Sequence, residues 1–571
     1  MKLTSLMTCG AVVGLLAIVV IKVGSVERIS DLPKPIADQQ QHELQVSVSR
    51  VNQWLRDHWA ENGVEPADLA DDLTVYRRLS LALFGRIPSL EEVNAFRSDR
   101  RSDRLERWLN RMLQDRTYGD YFGNRLVRML TGIEEGLVFV FRRDRMSQWM
   151  SDALLEDRPW SEITRDCIAA DGLWTSRPAA NFLTAAWVDG EGFDLNALAG
   201  RTVRSFLGQR IDCAQCHDHF FAEWTQGDFE GLAAFYGQTQ LTFSGVVDRP
   251  TSQGFNAEYR IVEVGMIDEL ELLEEGMEPV GRIVNPEVPF HEEWMSTEGS
   301  RRQQLASWVT HSSNRRFERA IANRTWGLMF GRAWFDPVDD LPDPPEGDEP
   351  RDLLDVLGAE YRRHDESLKS LIQIIALSDA FRLKSDVLGV DEEMYGRMDS
   401  TWARFPLVRL RPEQMIGAMF QAGRVKTIDQ QSNVFQRFAR FFNESDFLKE
   451  YGDETEDELI QQSATIPQAL LRMNGSFTRE LTKAGLFSAV GQLVDFSTDD
   501  TTLVQNCFLA CLTRLPDAEE REWFASQLQE RRDQLKNGKV SKGEEGAGSR
   551  NEIASDLFWV LFNSPGFSWN R

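Results

Sequence analysis

Positive charge is in short supply in this chain. Against 90 Asp and Glu stand only 64 Lys and Arg, a formal balance of −26 over 571 residues. A surface of that sign repels phosphate backbones, which excludes nucleic acid as a partner. It favours solubility and does not bear on the fold. Histidine and cysteine are also scarce, at seven and six. One C-x-x-C occurs, at Cys213 and Cys216, and no second one joins it. A closed tetrahedral zinc site draws its ligands from two segments, so four ligands from one short stretch are a poor match. The chain has no H-E-x-x-H and no Ser-His-Asp order, which leaves a hydrolase of envelope polymers without support. The acidic, Pro-rich stretch 336–350 lacks the spaced carboxylates of a calcium loop, so Asp339, Asp340 and Asp343 are expected in a solvated loop.

What is present is material for a large core: 42% hydrophobic residues and 16 Trp. At about 150 residues per unit, the length predicts roughly three to four units. The N-terminus carries a location signal. Lys2 precedes an apolar run from Leu6 to Ile21, broken by Thr8 and closed by Lys22. That length suits a signal-peptide core or a short membrane anchor, with Val23, Gly24 and Ser25 as small residues for cleavage. The positive-inside rule then places the remainder outside the cytoplasm, on the periplasmic or cell-surface side, anchored or secreted. Residues 1–25 are read as signal peptide or anchor and 26–50 as a polar linker.

Most of the rest carries a helical period. Leu105, Trp108, Leu109, Met112 and Leu113 recur on one face, as do Leu368, Leu371, Ile372 and Ile375, and more briefly Leu305, Trp308 and Val309. Between 238 and 290 the period fails, and β-branched and aromatic residues alternate with Gly and Pro. The predicted class is mainly α and multi-helical, with a small β-rich insertion around 238–290. Residues 537–550 read as a flexible excursion. The chain also echoes itself: RIPSLEEVNAF at 86–96 returns as RLPDAEEREWF at 514–524. Each Pro forces an extended entry, and Ser89 with Glu92, like Asp517 with Glu520, predicts a capping box. Extended backwards, the alignment sets Cys507 against Leu79 and Cys511 against Leu83, which predicts that both cysteines are core.

The sharpest chemical feature is CAQCHDH at 213–219. Cys213, Cys216 and His217 have the spacing of covalent c-type haem attachment. Two thiols three positions apart reach two vinyl groups, and the next histidine faces the iron. Other readings stay open. Cys213, Cys216, His217 and His219 are all ligand types for zinc or iron, and the two cysteines can form a disulfide. For a haem, the sixth ligand is undetermined among His291, His311, His364, Met266 and Met295, or absent. Asp218, His219 and Glu223 are candidates to orient a ligand imidazole, or are plain helix-end and surface charges. Phe220, Phe221, Trp224, Phe229, Phe235 and Tyr236 would wall a haem or belong to the core.

The run AGRTVRSFLGQRIDCAQCHDHFFAEWTQGDFEGLAAFYG (199–237) resembles the second of the planctomycete cytochrome-associated "PSCyt" domains, a domain of unknown function. So do YRRLSLALFGRIPSLEEVNAF (76–96) and MSQWMSDALLEDRPWSEI (146–163). Four further stretches resemble the companion "PSD" domain. They are RRQQLASWVTHSSNRRFERAIANRTWGLMFGRAWFDPVDDL (301–341), FPLVRLRPEQMIGAMF (405–420), TIPQALLRMNG (465–475) and DLFWVLFNSPGF (556–567). The resemblance implies a helical domain over 51–237 and a second helical domain over 301–571, which leaves the β-rich insertion between them at 238–300. It carries over Cys213, Cys216, His217, Asp218 and His219, and in the companion domain Asn323, Arg324 and Trp326. Phe220 stands where the family has proline, and the thiols and His217 are kept. Such domains occur in exported proteins, often beside cytochrome c modules. The expectation is an exported, cytochrome-like protein that holds haem c for electron transfer or small-ligand binding and meets a redox partner in the envelope. The alternative is an envelope scaffold whose Cys/His cluster is a disulfide or metal staple. Arg324 would pair with a haem propionate or tie its helix to the nearby DPVDDL loop.

Overall fold

The helical period in the sequence is also the period of burial. In helix Arg104–Leu113 the five apolar positions are the five buried ones. In helix Leu368–Leu377 Leu368, Leu371, Ile372 and Ile375 are buried too, but so are Ser370, Gln373, Ile374 and Ala376, and in helix Arg301–Val309 Leu305, Trp308 and Val309 are buried together with Arg302 and Ala306. A computed structural model describes residues 33, 37–132, 140–218, 223–249, 260–261, 282–345, 347, 349–427, 459, 466–485, 488–536 and 550–571. The protein is mainly α, with 24 α-helices and only two-stranded antiparallel sheets among the described residues. In the stretch expected to be β-rich, strand Thr239–Thr242 pairs with Gly245–Asp248 and Arg260–Ile261 with Arg282–Ile283. Residues 250–259 and 262–281 lie outside the described set, as do Leu6–Ile21 and most of 537–550. No helix among the described residues is long and apolar enough to cross a membrane.

Two hydrophobic cores organise the chain. The first gathers residues from Leu44 to Phe405, together with Leu459, and so draws on both helical stretches. The second is built from Leu410 to Phe567, joined by Leu81, Ile87, Leu90 and Val93 from far upstream. Helix Asp72–Phe84 therefore serves both. Leu79 and Leu83 face the first core, and Leu81 the second. The chain closes back on itself where strand Val408–Arg409 pairs with Trp569–Asn570.

The internal echo is a structural repeat, and its two copies meet. Helices Asp72–Phe84 and Asp500–Leu512 start from Asp71 and Asp499, whose carboxylates accept backbone amides of the first turn. They end at Gly85 and Thr513, both left-handed, at φ 63° and 55°. Gly85 is forced as well by crowding, because a Cβ there would sit 2.2 Å from the Tyr121 ring. Beyond the turn, Arg86 forks onto Glu92 at 2.8 and 2.9 Å and donates to Ile87 O. Arg514 does the same to Glu520, at 2.7 and 2.6 Å, and to Leu515 O. The cap exchange is reproduced too: Ser89 N to Glu92 and Glu92 N to Ser89, Asp517 N to Glu520 and Glu520 N to Asp517. Leu90 and Val93 from the first copy pack with Cys507, Phe508 and Cys511 of the second in one core. Both cysteines are free and 0% exposed, so they fill space there as leucine does in the other copy.

Burial separates the two forks energetically. Arg86 and Glu92 are 3% and 12% exposed, and Arg514 and Glu520 29% each. Glu92→Ala strands a buried guanidinium and is expected to cost about 3–5 kcal/mol. Glu520→Ala breaks a partly solvated pair and should cost about 1 kcal/mol. Chemical denaturation of the two variants checks the difference.

Helix Arg315–Phe330 places Glu318 against Gly358 of helix Leu353–Arg363, so closely that a Cβ on Gly358 would lie 2.7 Å from the Glu318 side chain. Burial pushes the Glu318 carboxyl up from 4.5 to about 7, against the pull of Arg362 and Arg315. The folded chain therefore holds this proton more tightly than the unfolded chain. Its ionisation costs stability progressively as pH rises from about 4.5 to about 7. Glu318→Gln should gain on the wild type across that window, by up to about 3 kcal/mol above pH 7. Denaturation midpoints of the two proteins at pH 5 and pH 8 give the readout.

Candidate functional site

The CAQCH turn sits between two fixed ends. Helix Leu195–Phe206 runs into Leu207 and Gly208, and the chain reverses there at φ +65°. A Cβ on Gly208 would lie 2.8 Å from the Leu341 side chain, so the close approach also demands glycine. Ile211 and Ala214, both 0% exposed, then anchor a short 3-10 turn, Asp212–Gln215, to the core. Ala214 N donates to Ile211 O at 2.8 Å and Cys216 N to Cys213 O at 3.4 Å. Side chains three apart on such a turn lie over one another, which puts the Cys213 and Cys216 thiols on one side. Both are free and exposed.

His217 is exposed too, and its Nδ1 lies 2.8 Å from the Asp218 carbonyl oxygen. A carbonyl oxygen only accepts, so Nδ1 carries a proton in this contact. The turn is pinned downstream by helix Gln226–Ala234, whose first amide, Gln226 N, donates to Asp218 Oδ1 at 2.9 Å. Thr225 and Asp228 form the capping box of that helix, and Gln226 Nε2 reaches Gln215 O at 3.4 Å. Asp218 thus holds the loop to a helix end. Glu223 is exposed just before that helix. His219, Phe220 and Phe221 lie outside the described residues.

The other candidates divide between core and surface. Trp224, Phe229, Phe235 and Tyr236 are buried members of the first core. Trp224 meets Phe290 edge-on at 6.4 Å. Beside Phe290, His291 and His311 stack on Trp294, at 4.1 and 5.2 Å between ring centres. His291 Nδ1 donates to Glu293 at 2.8 Å, and this bond holds the Glu293 carboxyl below its usual range. Met295 closes the same short turn and Met266 is outside the described residues. His364 is committed elsewhere, with Nε2 2.9 Å from Ser47 Oγ, next to buried Glu360. Arg324 is buried in helix Arg315–Phe330. Its neighbour Asn323 ties that helix to the acidic loop: Nδ2 donates to Phe335 O at 3.0 Å and Val338 O at 3.1 Å.

The donor set suits a c-type haem at the level of side-chain chemistry. Two thiols stand at one short turn, followed directly by an exposed imidazole. Among the described residues no group of three or more His, Cys, Asp or Glu able to hold an ion occurs, and His219 lies outside them. The sequence left unnoticed the partners that carry the turn, Arg204, Arg210 and Asp212. Arg204 Nη2 donates to Asp212 Oδ2 at 2.6 Å, beside Cys213. The only signal for them was the recurrence of opposite charges at 204, 210 and 212 within one family run.

Accessibility divides the cysteines sharply. Burial pushes the Cys167, Cys507 and Cys511 thiols far above their usual range. In a Cys9→Ser background, a maleimide reagent is expected to label Cys213 and Cys216 in the native protein. The three buried thiols should react only after denaturation, and intact mass counts the adducts.

Residues 50–241 match the model of the PSCyt2 family, described as a protein of unknown function (DUF1549). Residues 301–528 match PSD1, likewise described as a protein of unknown function (DUF1553). No curated protein and no solved structure matches the chain. The turn with Cys213, Cys216 and His217 thus falls within the first match and the acidic loop within the second, and the chain belongs to the proteins that join a PSCyt2 domain to a PSD1 domain in that order.

Proposed function

We propose that this protein is an exported, cytochrome-like carrier in which Cys213, Cys216 and His217 hold a c-type haem. One observation supports the reading: two free, exposed thiols stand in a short 3-10 turn and at its C-cap, and an exposed imidazole follows as the next residue. Cys213 and Cys216 would hold the group through covalent bonds and His217 would bind its iron. When bound, the haem supplies one-electron exchange or ligand binding at iron. The chain's own part is to fix the imidazole, through His217 Nδ1 and Asp218 O, and to hold the turn on helix Gln226–Ala234. His291 and His311 stack on Trp294 beside the Phe290 and Trp224 contact and could offer a further nitrogen to the group. Export rests on the N-terminal apolar run Leu6–Ile21, and a redox partner would be met in the envelope.

The exposure of all three residues also suits a second reading, a disulfide or metal staple in an envelope scaffold. Production in a host that attaches c-type haem separates the two. The first reading expects a Soret band and one covalent haem in the intact mass, with attachment impaired in Cys213→Ser and Cys216→Ser and altered ligation in His217→Ala. A protein with no Soret band and no added mass would overturn it. Bound zinc or iron that vanishes in Cys216→Ser would support the metal staple, and a Cys213–Cys216 disulfide without cofactor the covalent one.

A further inference from the structure

The segment that delivers the chain to Cys213 is held by the other family domain. The acidic loop 335–343 follows helix Arg315–Phe330 and is fixed to it by Asn323, which also accepts from Phe335 N at 3.0 Å. From there the loop reaches into the first domain. Leu341 N donates to Gly208 O at 2.8 Å. Arg210 Nε donates to Asp339 Oδ1 at 2.8 Å, and Arg204 Nε lies 3.7 Å from Asp339 Oδ2. Gln209 Nε2 and Arg316 Nη2 share Asp343 Oδ1, at 2.6 and 2.7 Å. Arg204 then passes the connection on to Asp212, next to Cys213.

Asp339 is the centre of this clasp. It is 5% exposed, so its carboxylate has lost its water and depends on the two guanidiniums. Gln209 and Ile211 are buried as well, which leaves little slack between Arg210 and the thiol at Cys213. The motif is therefore bracketed by two anchors. The downstream one, Asp218 to Gln226, belongs to the PSCyt2 domain, and the upstream one belongs to the PSD1 domain.

We propose that Asp339 is a positioning residue for the Cys213–His217 turn, so that the PSD1 domain completes the site of the PSCyt2 domain. The inference rests on the motif being the functional site, and not on which group the motif holds. It also gives the two domains a physical reason to share a chain.

The test uses the full chain. Amide hydrogen exchange is followed across 207–218 in the wild type, Asp339→Asn, Asp339→Glu and the exposed neighbour Asp340→Asn. Loss of the buried charge is expected to speed exchange at 209–216 by about tenfold, with the thermal midpoint of the whole protein nearly unmoved. Asp339→Glu should restore part of the protection, and Asp340→Asn should match the wild type. Unchanged exchange at 209–216 in Asp339→Asn would overturn the proposal, as would acceleration spread evenly over the chain. If Asp339→Asn does not fold, Arg204→Gln removes the arm to Asp212 from a partly exposed position. It should loosen the same peptide, and failure to do so overturns the proposal equally. In a haem-attaching host, Asp339→Asn should lower covalent haem occupancy several-fold and shift its midpoint potential, with Asp340→Asn unaffected. A wild type that takes no haem defeats the cytochrome reading alone, because the exchange result stands without it.

Discussion

Two adjacent arginines on helix Asp72–Phe84 fix how the rest of the chain is arranged. Arg78 is 0% exposed, and its guanidinium donates to the carbonyls of Phe381 and Leu383, both at 2.8 Å, and of Arg571 at 2.9 Å. The Phe405 ring lies 3.6 Å from its charged carbon. Arg77 turns the other way, to the carbonyls of Cys511, Gly566 and Phe567. Burial pulls both down to about 9, so each remains a cation at neutral pH. A buried cation is costly unless every donor finds an acceptor, and a guanidinium offers five in a rigid fork. Arg78 finds an acceptor for each guanidinium nitrogen and Arg77 for both Nη atoms though not for Nε, and these bonds bring segments about 300 and 490 residues downstream to one helix. The two cores share this helix for the same reason.

The repeat is best understood on that framework. Its copies are alike in cap, turn and arginine fork because those features are local, set by residues within about six positions of one another. They differ in what they cover. Leu79 and Leu83 face the first core, and their counterparts Cys507 and Cys511 the second. The copies pack together in the second core, so the repeat joins the N-terminal and C-terminal parts of the described chain. A buried fork can be retained in one copy and a solvated one in the other because the geometry is the same while the dielectric surroundings differ.

At the candidate site, the local and the distant contribute in different ways. The C-x-x-C-H spacing was legible because one 3-10 turn is enough to bring two thiols together and a histidine after them. Asp218 was legible only as an ambiguous charge, since its partner, the Gln226 amide, is chosen by the course of the loop. The aromatics after the motif resolve by burial: Trp224, Phe229, Phe235 and Tyr236 are core. In the acidic loop Asp340 and Asp343 are exposed as expected, and Asp339 alone of the three departs. Taken as solvated, it is buried against Arg210, because a carboxylate in a Pro-rich stretch looks the same whether it meets water or a guanidinium.

The sequence by itself determined the helical class, the repeated hairpins and the core role of the paired cysteines. All of these follow from interactions over a few residues, where side-chain period and cap chemistry leave a visible pattern. Only the tertiary structure decided that the two hairpins share a core, that Arg77 and Arg78 are buried on distant carbonyls, and that Asp339 grips the approach to Cys213. Those contacts join residues from about 130 to more than 400 positions apart. No local period encodes such a pairing, because the identity of a partner depends on which surfaces the packed helices finally bring into reach.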